Sequence, residues 1–278
     1  MSILQAALLS VIQGLTEFLP ISSSGHLIII PKFFNWPDQG LAFDAVVHLG
    51  TALAAIIYFR EYIFDVIKGF IPHKMINKKK KVVSAGVQQR SRRFAYIVLV
   101  ATIPAVIVGL TFKDYIAENL RSTTFVALNL LVWGIVLILA EIYANKVKNP
   151  LPLAQTSYGK GLMIGVAQAL ALFPGTSRSG ITISTGLFAN FSRKDAVRFS
   201  FLLSIPVILG AGLLSLLDLL QNAGEAGISV LAILVALLGA FLSGLLAIHI
   251  LLKFIDQKGL LYFGIYRIIL AGVLLLAI

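Results

Sequence analysis

Two stretches, Gln13–Gly25 (QGLTEFLPISSSG) and Gln168–Gly180 (QALALFPGTSRSG), decide how this chain folds. They begin 155 residues apart, and in both the interval from Gln to Gly is twelve residues. Each carries a Leu two residues after the Gln, a Phe in an apolar turn, a Pro, a cluster of hydroxyls and the closing Gly. Segments this rich in hydroxyls, Pro and Gly are poor material for a continuous helix across a bilayer. Their repetition points to one site built from two halves.

The rest of the chain explains why a bilayer is the right frame. Its 278 residues are 58% hydrophobic and 13% charged, with a mean hydropathy of +0.93, whereas soluble domains carry roughly 25% charged residues. The sequence is that of an all-α integral membrane protein. An outer-membrane barrel would give a far weaker hydropathy signal. Six stretches, 41–59, 94–112, 123–143, 199–220, 228–252 and 260–278, are apolar over the length a spanning helix needs. No Cys is present, which removes disulfides, thiolate chemistry and Cys-based metal sites. The N-terminus has no charged n-region and no cleavage site after its first apolar run, so no removable signal peptide is expected.

A net charge of +11 raises the question of nucleic acid. The distribution answers it. Ten of the 23 Lys and Arg fall between Arg60 and Arg93, including Lys78, Lys79, Lys80 and Lys81. A basic loop between two spans is first a topology signal, and secondarily a contact for anionic headgroups.

The segments 2–31 and 158–190 are apolar at their outer parts but break at Pro20 and Pro174. As full-length helices they would bury Ser22, Ser23 and Ser24, or Thr176, Ser177, Arg178 and Ser179, at membrane depth. Non-helical backbone survives there only where protein or a wet cavity satisfies it. Both segments therefore read as re-entrant helical hairpins. If 60–93 is cytoplasmic, the loops near 144–160, 191–198 and 253–258 are cytoplasmic too, and together these four hold 18 Lys and Arg. The opposite side keeps Lys32, Lys113 and Arg121. Each half, 1–150 and 151–278, is then one hairpin followed by three spans. The two hairpins enter from opposite faces as an inverted-topology repeat whose broken helices meet near the midplane. Phe43 and Phe199 extend the match, 18 and 19 residues after Gly25 and Gly180.

Titratable groups placed among apolar segments are functional candidates, because burying one costs roughly 2.5–3.5 kcal/mol on insertion scales. The first hairpin offers Glu17 and His26, with Gln13 one turn before Glu17 on the same face. The second offers Arg178 among Pro174, Gly175, Thr176, Ser177, Ser179 and Gly180. This inventory suits an anion. Arg presents a fork of donors matched to phosphate oxygens, and a helix starting after each Gly-containing turn aims its positive end at the ligand. His26 can shuttle a proton near neutrality, and a serine beside a base is a common form of activated nucleophile. Acid, base, nucleophile and anion clamp together point to phosphoryl transfer rather than passive binding. The bland alternatives are that a serine of Ser22–Ser24 caps the returning helix, and that Arg178 pairs with Glu17 as a structural ion pair. His48, Asp44, Glu141, Asp218, His249 and Arg267 lie near span ends or singly on apolar faces and read as structural. His73 sits in the basic loop and carries no signal. No Walker loop, Rossmann fingerprint, HExxH or DDxxD cluster occurs.

At Gln13-Gly14-Leu15-Thr16-Glu17, Pro20 through His26, and Pro174 through Gly180, the chain closely resembles the bacitracin-resistance family of undecaprenyl-pyrophosphate phosphatases. The family pattern reads (E/Q)-x-x-x-E, P-x-S-S-S/T-G-H and P-G-x-S-R-S-G. Length and span pattern also match. The resemblance implies hydrolysis of undecaprenyl diphosphate to the monophosphate and inorganic phosphate, which regenerates the lipid carrier for peptidoglycan and other surface polymers. It further implies a divalent cation, Mg²⁺ or Ca²⁺, homodimers, and a site facing the outer, periplasmic side of the cytoplasmic (inner) membrane.

Carried over by position, Ser23 becomes the nucleophile or a phosphate contact, Glu17 and His26 the acid–base or orienting groups, and Arg178 the clamp. Gln13, Ser22, Ser24, Gly25, Gly175, Thr176, Ser177, Ser179 and Gly180 surround the phosphates. Gln13 stands where many members have a second glutamate, so Glu17 is left as the single carboxylate for a metal, with substrate phosphates and water completing its shell. His26 as the attacking group, with Ser23 positioning, is the alternative mechanism. A transporter or flippase of polyprenyl phosphate is the rival from another class, since inverted repeats with broken helices are also a transporter pattern. The other integral-membrane lipid phosphatase family expects a K-x6-R-P motif that this chain lacks.

Overall fold

The computed structural model describes residues 1–71, 85–221 and 229–277. Among them the chain is helical: α1 (Ile3–Phe18), α2 (Ser23–Phe33), α3 (Gly40–Tyr58), α4 (Arg60–Lys68), α5 (Ala85–Asn119), α6 (Thr123–Ala144), α7 (Tyr158–Leu170), α8 (Arg178–Phe188), α9 (Arg193–Gln221), α10 (Val230–Lys258) and α11 (Leu261–Leu276). The extended pairing among the described residues is a single bridge between Leu151 and Phe191. Four helices are long and apolar enough to cross a membrane, in α5, α6, α9 and α10, and α3 with α4 makes a fifth if the bent pair counts as one span. The stretch expected as a span over 260–278 is the 16-residue α11, shorter than the others.

Both broken segments are helix–break–helix. α1 starts at a capping box in which the Ser2 hydroxyl accepts from the Gln5 N–H at 3.2 Å and the Gln5 side chain accepts from the Ser2 N–H at 2.8 Å. It stops at Leu19, held extended at φ −66°, ψ 136° because the next residue is Pro20. α2 is 11 residues long, about 16 Å at 1.5 Å per residue, well short of a bilayer core of about 30 Å. α8 is also 11 residues.

The expected basic loop over 60–93 is helical at both ends. α4 bends 71° from α3 and lays Tyr62, Ile63 and Val66 against the main core. Its C-terminus is tied to α5, where Gln88 Nε2 donates to the Ile71 carbonyl at 2.5 Å and Arg92 Nε donates to the Gly69 carbonyl. The run Lys78–Lys81 and His73 lie outside the described residues, as does the side chain of Asp218.

Packing exchanges the two halves. α1 lies along α10 and α7 along α5, while α6 meets α11 and α3 meets α9. One large core joins Phe18, Phe59, Phe94, Phe191, Phe199 and Phe201, and Phe43 sits fully buried in a second core with Leu9 and Leu27. Glu141 of α6, read as structural, is paired with Arg193 of α9 at 2.7 and 2.9 Å.

Candidate active site

α1 delivers Glu17 in its last turn, 5% exposed, next to Phe18, whose ring packs edge-on against Phe201 at 4.9 Å. An unpaired carboxylate buried there would cost several kcal/mol. Glu17 is instead the point on which three elements besides its own converge. Ser23 Oγ donates to Oε2 at 2.5 Å, Gln13 Nε2 donates to the same oxygen at 2.9 Å, and Arg178 donates to Oε1 at 2.7 Å. His48 Nε2, from α3, stands 3.4 Å from Oε2.

The hairpin tips that supply Ser23 and Arg178 share one backbone solution. Ser22 and Ser177 are the N-caps of α2 and α8, at φ 74° and φ 70°. The Ser22 hydroxyl accepts from the Gly25 N–H at 3.3 Å, and the Ser177 hydroxyl from the Gly180 N–H at 3.1 Å. Positive φ at a non-glycine residue costs on the order of 1–3 kcal/mol and concentrates at functional sites, partly offset here by a cap worth about 1 kcal/mol. Each hairpin also closes on a left-handed asparagine, Asn35 at φ 52° and Asn190 at φ 67°. Ser23 and Arg178 are therefore the first residues of matching helices, and both reach Glu17. The Ser179 hydroxyl donates to the Leu19 carbonyl at 3.2 Å and links the two tips.

Arg267 of α11, 0% exposed, fastens the tips from behind. Its guanidinium donates to the carbonyls of Gly175 at 2.9 Å and Thr176 at 2.8 Å, and more loosely to those of Pro20, Asn129 and Leu130 at 3.4 Å. Arg267, read as structural from the sequence, has backbone carbonyls of both tips and of α6 as its partners. Backbone carbonyls, which a hairpin break leaves without helical partners, take the place of a counter-ion. Gly175 sits at φ +89°, where a Cβ would come within 2.6 Å of the Val126 carbonyl oxygen. The tight fit of the second tip against α6 requires glycine.

In front of these tips lies a cavity of about 280 Å³. Glu17, Ser23, Ser24, Ser177 and Arg178 line its floor, with the first turns of α2 and α8 bordering it. Arg121 lines the same cavity and pairs with Asp38 at 3.0 Å and with Asp44 at 3.5 Å. Gln168, the counterpart of Gln13, is 2% exposed and lines the cavity with both its amide atoms unpartnered. Gln13 Oε1 and Thr176 Oγ1 are likewise buried without a partner. Buried polar atoms are nearly always paired, so the unpartnered Gln168 amide in the cavity wall is a candidate contact for a polar ligand.

Two histidines exchange their expected places. From sequence, His26 belongs with Glu17 and Ser23. In the folded chain it faces away from the cavity: Nδ1 bonds the Ser22 carbonyl at 2.7 Å and Nε2 bonds the Tyr266 hydroxyl at 2.7 Å, with the two rings stacked at 5.9 Å. The reason is that α11 brings the Tyr266 hydroxyl to one ring nitrogen while the Ser22 carbonyl holds the other. His48, read as structural, is in the cavity wall beside Glu17. Its Nδ1–H bonds the Asp44 carbonyl one turn back, which leaves Nε2 facing the carboxylate. Asp44 lines the wall too and accepts from Gln39 at 2.6 Å. Of the remaining expected contacts, Ser22, Gly25, Ser179 and Gly180 serve the caps, while Gly175 and Thr176 serve Arg267.

Among the described residues no group of three His, Asp or Glu forms a metal position. What the site has is the Glu17 carboxylate with the unpartnered Gln13 oxygen on the same helix, and the Asp44 carboxylate in the cavity wall. That donor set fits a hard cation sharing its shell with a ligand's phosphates, as Mg²⁺ commonly does.

Residues 6–273 match the family described as Bacitracin resistance protein BacA. Among curated relatives, Undecaprenyl-diphosphatase 2 of Stutzerimonas stutzeri (strain A1501) is 42% identical over 99% of this chain and 98% of its own length. Undecaprenyl-diphosphatase of Hahella chejuensis (strain KCTC 2396) is 44% identical over 99% and 98%. That of Teredinibacter turnerae (strain ATCC 39867 / T7901) is 43% identical over the whole of both chains. The motifs that meet at Glu17 all fall inside the matched region, and the chain belongs to the bacitracin resistance protein BacA family.

Proposed function

We propose that this multi-pass membrane protein hydrolyses undecaprenyl diphosphate to undecaprenyl phosphate and inorganic phosphate, recycling the lipid carrier of peptidoglycan synthesis and so conferring bacitracin resistance. The relatives' names and the family support the reaction. The observation that carries it is the 2.5 Å contact from Ser23 Oγ to Glu17 Oε2, beside Arg178 at the floor of one cavity. A hydroxyl aimed at a carboxylate next to a guanidinium is equipment for chemistry; binding or transporting a polyprenyl phosphate needs no such pair.

In the proposed cycle, Ser23 Oγ forms a bond to the terminal phosphorus and its proton passes to Glu17. The bridging P–O bond breaks, and undecaprenyl phosphate leaves with the bridging oxygen. Water then attacks the phosphoserine, inorganic phosphate is released, and the proton returns to Ser23. Arg178 uses two of its five N–H donors on Glu17 and the Ser200 carbonyl. The others are available to the transferring phosphoryl group, whose charge is the main thing such a site must stabilise. His48 Nε2 stands next in line to Glu17 as a proton partner. His26 acts by position, pinning the Ser22 carbonyl that precedes the nucleophile. Glu17 and Gln13 Oε1 would hold a divalent cation together with substrate phosphates; when bound, it neutralises phosphate charge.

The inverted repeat fits the matched N-caps, the matched asparagines and the exchanged packing of α1 on α10 and α7 on α5. A site on the outer face fits a cavity bordered by Asp44 and Arg121, at the end of α5 away from Arg90, Arg92 and Arg93. The test is phosphate release from farnesyl and undecaprenyl diphosphates by the solubilised protein, with and without EDTA. Release that EDTA abolishes and Mg²⁺ or Ca²⁺ restores is the expected result. No release under any metal condition, with polyprenyl monophosphate still bound, would replace the hydrolase by a transporter.

A further inference from the structure

The turn between α5 and α6 places a second arginine in the wall of the cavity at Glu17. α5 closes with the Leu120 N–H donating to the Ile116 carbonyl at 3.1 Å, and Ser122 caps α6 by accepting from the Phe125 N–H at 3.2 Å. Arg121 stands between these two anchored ends. Thr123 beside it accepts a hydrogen bond from Lys32 Nζ of α2 at 3.1 Å, which ties the turn to the first hairpin. Although the turn joins the ends of two long helices, the Arg121 side chain is only 16% exposed, because it lies in the cavity wall with Ile116 and Ala117. Every hydrogen bond it makes leaves from one nitrogen. Nη2 donates to Asp38 Oδ1 and Oδ2 at 3.1 and 3.0 Å and, more loosely, to Asp44 Oδ2 at 3.5 Å. Arginine has five N–H donors, and among the described residues the Nη1 and Nε donors of Arg121 have no partner.

α3 sets the spacing between this arginine and Arg178. Arg178 is seated on Glu17 at 2.7 Å, and Glu17 faces His48 at 3.4 Å. Asp44, one turn before His48 on α3, meets Arg121. The α3 residues that mark the two levels are four apart, about 6 Å of helix rise. Among the described residues, Arg121 and Arg178 are the only Lys or Arg in the lining of this cavity. Asp38 is 56% exposed, so its pairing with Arg121 is screened by water and weak. It steadies the guanidinium without occupying it. The wall thus offers two cations in line, and a diphosphate carries two charged groups in line. Their order follows from the reaction, since the terminal phosphate is the one transferred and lies at Ser23. The phosphate bonded to the lipid is then left for the other level.

We propose that Arg121 is the binding residue for the phosphate that stays on the lipid, its free donors taking that phosphate while Asp38 and Asp44 hold the guanidinium in the wall. The inference rests on the hydrolase reading above. It places the bond that breaks between two arginines, with Arg178 on the phosphoryl group being transferred and Arg121 on the lipid phosphate released. Arg121 then also neutralises the charge that gathers on the departing oxygen.

The experiment measures inhibition of farnesyl diphosphate hydrolysis in the intact protein by each of two products, farnesyl monophosphate and inorganic phosphate. Arg121→Gln is expected to raise the inhibition constant of farnesyl monophosphate about tenfold or more, the scale of one lost charge-assisted hydrogen bond. The constant for inorganic phosphate is expected to stay at the wild-type value. Arg121→Lys, which keeps the charge but not the fork, should lie between. Asp38→Asn breaks the same ion pair and leaves the guanidinium, so its constant for farnesyl monophosphate is expected to stay or fall. No change for farnesyl monophosphate in Arg121→Gln, or an equal rise for both products, overturns the assignment. So does a rise in Asp38→Asn that matches Arg121→Gln, which would make Arg121 one half of a structural pair. If Arg121→Gln does not fold, the ratio of the two constants in Arg121→Lys decides in the same sense. Absence of phosphate release by the unaltered protein removes the hydrolase reading, and this assignment with it.

Discussion

The two hairpins have nearly the same backbone and almost opposite chemistry. Each starts its second helix on a serine N-cap at positive φ, ties that cap to a glycine N–H three residues on, and ends at a left-handed asparagine. Register then places Ser23 opposite Arg178, Glu17 opposite Leu172 and His26 opposite Ile181. The shared part is what any anion site in a membrane needs: broken helices, caps and small residues. In the proposed cycle the differences divide labour, with nucleophile and proton acceptor on one tip and clamp on the other. A homodimer of identical hairpins would have to place the same residue on both sides of the phosphate.

The heaviest blow to this division is to remove its meeting point. Glu17→Gln keeps the size but loses both the acceptor for Ser23 and the counter-charge for Arg178, and phosphate release is expected to fall by about 10³-fold or more. Arg178→Ala is expected to fall similarly while membrane expression holds, and Arg178→Lys to recover only part, because an ammonium cannot reproduce the planar fork. Near-normal turnover in Arg178→Ala would dissolve the distinction between the tips.

A smaller effect separates the two histidines. His48→Gln is expected to lower kcat by about 10²-fold, the size of a lost proton-transfer partner, with KM little changed. His26→Ala should cost about tenfold, Tyr266→Phe no more than that, and the double variant no more than His26→Ala alone, since the Tyr266 hydroxyl bonds the His26 ring that in turn holds the Ser22 carbonyl. Additive losses would mean that Tyr266 has a role that does not pass through His26. Gly175→Ala tests the backbone itself: strain at φ +89° of about 1–2 kcal/mol should lower the melting temperature as well as activity. Gln168→Ala is expected to do least, a few-fold rise in KM without loss of stability, because its amide has no partner within the protein to lose.

Why some of this was legible in sequence and some was not follows from where the residues sit. Ser23, Glu17 and Arg178 stand out because hydroxyls and charges interrupt an apolar segment, and a linear sequence displays interruptions. The repeat is visible for the same reason. His48 and Asp44 lie singly on the otherwise apolar α3, where sequence offers nothing to distinguish a cavity wall from a helix contact. His26 misleads because it is a sequence neighbour of Ser23 but not a facing one, and Tyr266 lies 240 residues away. The helical ends of the basic segment were hidden by its charge, since Tyr62, Ile63 and Val66 alternate in a short helix with Arg60, Glu61, Asp65 and Lys68.

Arg267 carries a consequence for how the protein comes into being. Synthesis proceeds from the N-terminus, and membrane helices emerge in chain order. Both tips can be made and inserted well before α11, the last of the eleven helices among the described residues, yet the side chain that gathers the Pro20, Gly175 and Thr176 carbonyls arrives only with it. Until then the Gly175 and Thr176 carbonyls lack their closest donor, although Ser23 and Glu17 are both already made. The fastening of the two tips to one another from behind is thus a late event in the making of this chain.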